Sequence, residues 1–304
     1  MTTSTTRRTL SATTAGPVVL DLDMPHGQID VRVCTIERAE IELSTSAPAD
    51  SPAGRAIADA TLTAEVRVLT VRVPTPDGGT TIINDTRGGR VVVSGNVNSG
   101  IIVSGGSVTI TGGQVFSGGR IISGASVNPG VHAVLRLPYG SALKVRTKSG
   151  TVTTDGELEF TQFTSVSGDL HADACRALTA VSTSGDVYAE YADRAEVRTV
   201  SGDISLGRTE TVTAKSTSGD ITIGDFGGAA RLTTVSGDIA VNATEPGHVT
   251  ANSTSGDIRV TAPAELAAAG GEHALTVDAR SLTGDVRSPR PVTGPARPRR
   301  PRHR

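Results

Sequence analysis

The chain has 304 residues, a formal net charge of −2, no Trp, three Tyr, four Phe and two Cys. So few aromatics exclude an ordinary globular core and favour a thin aliphatic one. Cys34 and Cys175 stand far apart in sequence and in no metal-type spacing, and read as two reduced thiols; no run approaches the roughly 18 apolar residues of a membrane helix.

Residues 1–16 are Thr-rich and polar and read as a disordered leader. Arg7-Arg8 is not followed by an apolar stretch of signal-peptide length, so the expectation is a cytoplasmic protein. From residue 17 to 74 apolar and polar residues alternate: Val19, Leu22, Ile29, Val31, Val33, Ile41 and Leu43 mark two or three strands, and VRVLTVRVP marks another. Between them, a Pro/Ala/Gly/Asp-rich loop leads into a short helix or loop. These strands are expected to cap the first coil of the repeats at 131–286. Residues 75–130 are glycine-dense with short aliphatic runs, which reads as a flap, a few smaller coils or a surface for pairing with another chain.

The organising stretch is residues 131–286. Ser-Gly-Asp followed by an aliphatic residue recurs with its glycine at Gly168, Gly185, Gly202, Gly219, Gly237 and Gly256, at spacings of 17, 17, 17, 18 and 19. Such a period means a solenoid, and the two-residue alternation with Val, Ile, Thr and Ser makes it β rather than α. Counting from the glycine, positions −7 and −5 pair one large apolar residue with one alanine: Leu178/Ala180, Ala195/Val197, Val212/Ala214, Ala230/Leu232 and Val249/Ala251. The order flips from coil to coil, so bulky is expected over slight in a constant-volume core. The hydroxyls at −3 and −1 are expected to form inward ladders that satisfy one another, and the glycine to supply a positive φ at a sharp corner. Two more coils fit, around Gly150 and, after an insertion near Pro263 to Glu272, around Gly284. The expected fold is therefore all-β: a single parallel β-solenoid, right-handed, of about eight coils of 17–19 residues, with an N-terminal strand cap.

The one repeated charged feature is a ladder of Asp169, Asp186, Asp203, Asp220, Asp238, Asp257 and Asp285. Neighbours near 5 Å apart repel by about 0.8 kcal/mol in water, so each must be solvated, hydrogen-bonded or cation-bridged. The first reading is a turn carboxylate accepting backbone N–H groups; the second is a calcium ladder over Asp169, Asp186, Asp203, Asp220, Asp238 and Asp257. His26, His132, His171, His248, His273 and His303 are scattered, and Ser141 with Lys144 matches Ser-x-x-Lys without companion motifs. No catalytic, cofactor-binding or firm metal residue is nominated, and no cofactor is expected.

The tail from 287 to 304 holds seven arginines, five prolines and no acid, leaving 22 basic and 31 acidic residues in the rest. It reads as disordered. Arg287, Arg290, Arg297, Arg299, Arg300, Arg302 and Arg304 are candidates for weak polyanion binding.

The Ser-Gly-Asp-Ile/Val coils, the preceding LRLPYGSALKVRTKSG and the strand-rich segment before it resemble a bacterial putative-adhesin family of unknown function, common in actinobacteria. The resemblance covers about residues 17–286 and implies a β-solenoid, with no catalytic residues to transfer. The expectation is a non-enzymatic, adhesin-like binding or scaffold protein presenting a repetitive polar face, its partner another protein or a second copy met through the solenoid ends or the Gly-rich insert. The alternatives are a self-assembling cytoskeletal scaffold like the bactofilins and, more remotely, a β-helical polysaccharide-active enzyme with Tyr188 and Tyr191 as its exposed aromatics.

Overall fold

Alternating apolar and polar residues build strands whose one face must be buried, and here they bury it by stacking. The computed structural model describes residues 6–75, 81–85, 90–94, 108–111, 114–117, 120–123, 130–268 and 274–289. The chain runs β1 (Thr6–Ser11), β2 (Val19–Asp23), β3 (Gln28–Cys34), β4 (Glu40–Thr45), α1 (Pro52–Ala58), β5 (Thr61–Glu65) and β6 (Val68–Arg72). Helix α1 starts where the Ser51 hydroxyl accepts the Gly54 N–H at 3.0 Å, with Pro52 in the first turn. Five short strands come next: β7 (Thr81–Asp85) and β8 (Arg90–Ser94) make an antiparallel hairpin, and β9 (Val108–Thr111), β10 (Gln114–Ser117) and β11 (Arg120–Ser123) a small antiparallel sheet. The rest of the Gly-rich segment lies outside the described residues.

The main stack continues through β12 (His132–Pro138), β13 (Ala142–Arg146), β14 (Thr151–Thr164), β15 (Leu170–Val181), β16 (Val187–Arg198), β17 (Ile204–Lys215), β18 (Ile221–Thr233) and β19 (Ile239–Ser253). It ends with β20 (Ile258–Thr261), the short helix α2 (Ala264–Ala268), β21 (Leu275–Ser281) and β22 (Val286–Arg287). From β13 to β22 every pairing is parallel, and successive long strands pair with their sequence neighbours, as in a β-solenoid-like stack. The register sets Leu178 against Ala195, Ala195 against Val212, Val212 against Ala230 and Ala230 against Val249, with Ala180, Val197, Ala214, Leu232 and Ala251 in the neighbouring column. All are buried, large against small along most of the stack. At the last step Val249 meets Val277 and Ala251 meets Ala279, so the alternation stops there.

A third inward column runs through the middle of each long strand: Leu158, Cys175, Ala192, Thr209, Phe226 and Ala243, aligned and buried. Burial pushes the Cys175 thiol up to about 11. Native alkylation at neutral pH should therefore modify Cys34, which is partly exposed, and spare Cys175 until the chain is unfolded. Mass spectrometry before and after urea reads this directly; labelling of both thiols in the native protein would contradict the packing.

The N-terminal strands divide between the stack and its end. Strands β2 and β3 pair in parallel with β13 and the first part of β14, and β6 and β12 pair in parallel with β2 and β3 from the other side. Between β6 and β12 the described strands β7 to β11 pair only with one another and not with the stack. Beyond them β5 lies antiparallel on β6, β4 antiparallel on β12, and β1 antiparallel on β4. In β2 the inward residues are Leu20 and Leu22 rather than Val19, which is only half-buried.

Candidate binding face and the stacked turns

Each turn is held by its −3 hydroxyl, which accepts the N–H of its own glycine: Ser165 for Gly168 at 2.6 Å, Ser182 for Gly185 at 2.9 Å, Thr199 for Gly202 at 2.9 Å and Ser216 for Gly219 at 2.8 Å. Thr147 does the same for Gly150 and Ser281 for Gly284. Toward the C-terminus the same hydroxyls also donate to the glycine carbonyl one coil back, as Ser253 does to Gly237 at 3.2 Å and Ser281 to Gly256 at 2.8 Å. The expected hydroxyl-to-hydroxyl ladder is thus replaced by a hydroxyl-to-backbone one. The −1 serines, Ser167, Ser184, Ser201, Ser218, Ser236 and Ser255, are exposed rather than inward, because the chain bends between −3 and the glycine. The glycines are also not required for the reason expected. None of the turn glycines Gly168, Gly185, Gly202, Gly219, Gly237 and Gly256 has a positive φ; a Cβ on Gly185 would instead lie 1.9 Å from the Gly168 carbonyl oxygen.

The aspartate ladder closes the same corner. One oxygen of Asp169 accepts the N–H of Asp186 at 3.0 Å, and the step repeats from Asp186 to Asp203, Asp203 to Asp220, Asp220 to Asp238, Asp238 to Asp257 and Asp257 to Asp285 at 2.7–2.8 Å. Each carboxylate thus ties its turn to the next. Among the described residues no group of three or more His, Cys, Asp and Glu side chains is placed to hold a metal ion. Of the candidate polyanion residues, Arg287 is exposed at the C-terminal end, 3.6 Å from Asp285, beside a shallow depression of about 230 Å³ lined also by Asp238, Asp257 and Arg259. Arg290, Arg297, Arg299, Arg300, Arg302 and Arg304 lie outside the described residues.

The described histidines stay apart from one another. His26 Nδ1 lies 2.6 Å from Ser149 Oγ, stitching two turns, and burial with Lys148 nearby holds its pKa below the usual value. His132 meets Asp30 at 2.7 Å, His171 leans on the Tyr188 ring at 6.2 Å, and His248 meets Thr250 at 3.1 Å; His273 and His303 lie outside the described residues. Ser141 is fully buried and its hydroxyl accepts the Val18 N–H, so it is not presented to solvent as a nucleophile. Tyr191 donates to the Asp193 carboxylate, and Tyr188 is about half exposed.

The outer face of the strand halves that precede the turns is a regular surface. Its middle column is Gln162, Thr179, Glu196, Thr213, Arg231, Thr250 and Asp278, and beside it run Val181, Arg198, Lys215, Thr233, Asn252 and Arg280. Arg198 pairs with Glu196 at 2.6 Å and Arg280 with Asp278 at 3.2 Å. Lys215 and Arg231, in the centre, have no carboxylate partner among the described residues, and Thr211, Thr213, Thr233 and Thr250 surround them. No helix among the described residues is long and apolar enough to cross a membrane.

No curated protein matches this chain. Similar solved structures include a putative adhesin from Bacteroides fragilis, 12% identical over 92% of this chain and 95% of that one with a TM-score of 0.42. A putative adhesin from Parabacteroides merdae is 10% identical over 93% and 96% with a TM-score of 0.42, and a putative lipid binding protein from Parabacteroides distasonis is 10% identical over 93% and 97% with a TM-score of 0.44. So distant a likeness transfers no ligand. The family described as Toastrack DUF4097 matches residues 80–296, most of the repeat stack included, and the chain belongs to that family.

Proposed function

We propose that this is a non-enzymatic, adhesin-like binding protein whose stack acts as a stiff rod and whose Thr/Lys/Arg face receives an extended acidic polymer. The observation that carries the reading is the pair Lys215 and Arg231, unneutralised on adjacent strands within in-register threonine columns. Columns repeat at about 4.8 Å along the stack, which suits a ligand lying lengthwise, and the threonine hydroxyls donate and accept beside the two cations. The stack itself is read as a right-handed solenoid, since parallel crossovers in one sheet are right-handed. The eight repeats legible around Gly150 to Gly284 make up its body. The bactofilin-like alternative is disfavoured by the antiparallel strands β1, β4 and β5 at the N-terminal end, because a filament needs two complementary ends.

The test is a titration of the full-length protein with polygalacturonate, an acidic polysaccharide, against dextran, a neutral one. Binding to polygalacturonate that weakens about tenfold in the K215E/R231E variant, and that falls with salt, supports the face. Equal binding of both polymers, or a loss seen only when residues 288–304 are removed, defeats it; the second result assigns polyanion binding to the tail.

A further inference from the structure

The two ends of the stack are built differently, and the C-terminal one is left open. Strand β21 pairs with β19 along one side, and among the described residues nothing pairs with its other side. The N–H of Leu282 donates to the Ser253 carbonyl at 3.3 Å, and the Ala274 carbonyl accepts from Gly247 at 3.4 Å. Since backbone groups alternate sides along a strand, Thr276, Asp278 and Arg280 direct theirs to β19. Leu275, Val277, Ala279 and Ser281 therefore direct N–H and C=O outward, as a straight seven-residue edge. The same residues point their side chains toward the core axis, where they are only half-buried because no further coil covers them. Val286, at the start of the next coil, is 41% exposed and Leu282 is 78% exposed. Unsatisfied backbone groups together with uncovered core residues are what an added strand would cover.

We propose that a second copy of this chain covers this edge, β21 against β21 antiparallel, so that two stacks join coaxially at their C-terminal ends. Pairing must match outward-facing backbone groups, which restricts the register to a few choices, and charge selects one. Centred on Asp278, the strand sets that carboxylate against itself; centred on Arg280, it sets two guanidinium groups together; centred on Val277, it leaves both charges unmatched. Centred on Ala279, it puts Asp278 of each copy directly opposite Arg280 of the other, with Val277 opposite Ser281 and the half-buried core residues facing across the joint. Opposite charges directly across a ladder stabilise it, and like charges destabilise it. The arrangement has two-fold symmetry and uses up the long parallel edge at this end, while β4 and β5 already lie antiparallel across the other. It therefore closes at two copies and makes no fibre.

Sedimentation of the full-length protein from micromolar to near-millimolar concentration tests this. The expected result is a concentration-dependent dimer. Ala279→Pro should abolish it while leaving the circular dichroism unchanged, because that N–H points away from β19 and its loss breaks no bond within the protomer. Asp278→Arg should weaken the dimer about tenfold by placing arginines opposite one another, and D278R/R280D should restore it. A chain that stays monomeric throughout, a dimer that A279P leaves untouched, or a double variant no better than D278R overturns the proposal. A monomer that dimerises only when residues 288–304 are deleted also overturns it, by giving the edge to the chain's own C-terminal residues.

Discussion

Gly219→Ala is expected to destabilise the protein by about 3 kcal/mol, at the upper end of what overpacking costs. The new Cβ would lie 1.9 Å from the carbonyl oxygen of Gly202, 2.5 Å from its carbon and 3.0 Å from the Ser216 hydroxyl. None of these can step aside. The Gly202 turn is bonded to Thr199 within its own coil and receives the Ser216 hydroxyl from the next, and the Asp203 carboxylate holds Asp220. Gly224→Ala, a few residues on in β18, is the matched control: its nearest neighbour would be at an ordinary 3.5 Å and its φ is not positive, so a change within about 0.5 kcal/mol is expected. Urea unfolding reads both. Equal losses at the two sites would mean that glycine serves the turn in some way other than close approach.

Phe226→Ala should cost about 3–5 kcal/mol, and Phe226→Leu about 1 kcal/mol. Phe226 is fully buried, and its column neighbours are Thr209 on one side and Ala243 on the other. Both are small, and ladder hydrogen bonds fix the strands that carry them, so the void left by the ring has nothing to fill it. Thr209 already sits there with a buried hydroxyl that lacks a hydrogen-bond partner among the described residues. A loss below about 1 kcal/mol for Phe226→Ala would show that the mid-strand column relaxes freely and does not pack as a rigid layer.

The repeating turn was legible because one glycine with its neighbours must recur wherever one turn rests on another, and the flip of Leu178/Ala180 to Ala195/Val197 was legible because volume must be shared between adjacent coils. The mid-strand column was not legible. Leu158, Cys175, Ala192, Thr209, Phe226 and Ala243 have no residue type in common. Cys175, Ala192, Thr209 and Phe226 also come three residues after the inward Ala172, Ala189, Leu206 and Ile223, where the strand bends, and this odd step breaks the alternation a strand reading relies on; only Ala243 follows Val241 by the regular two. The inward reading of Ser167, Ser184 and their equivalents failed for the same reason, since a bend resets which side faces in. The −3 hydroxyl could have been found: Ser or Thr three residues before Gly is a local turn pattern in which the side chain accepts a backbone N–H. Of the candidate face, its threonines were visible in sequence, but the isolation of Lys215 and Arg231 depends on which column each joins. The place of β2 and β3 in the stack left no local trace, for their partners in β13 and β14 stand more than a hundred residues away.

That remote pairing sets the order in which the molecule can assemble. Between β14 and β19 each turn closes a loop of about 17 residues, whereas Val18 reaches Ser141 across 123. Short loops close first, so the nucleus belongs to the Ser-Gly-Asp coils, and the residues that leave the ribosome earliest are the last to dock. Until β13 and β14 are synthesised, β2 has only β6 and β3 only β12 to pair with, and the sides of β2 and β3 that face the stack stay uncovered, which is the interval in which a chaperone would protect this protein.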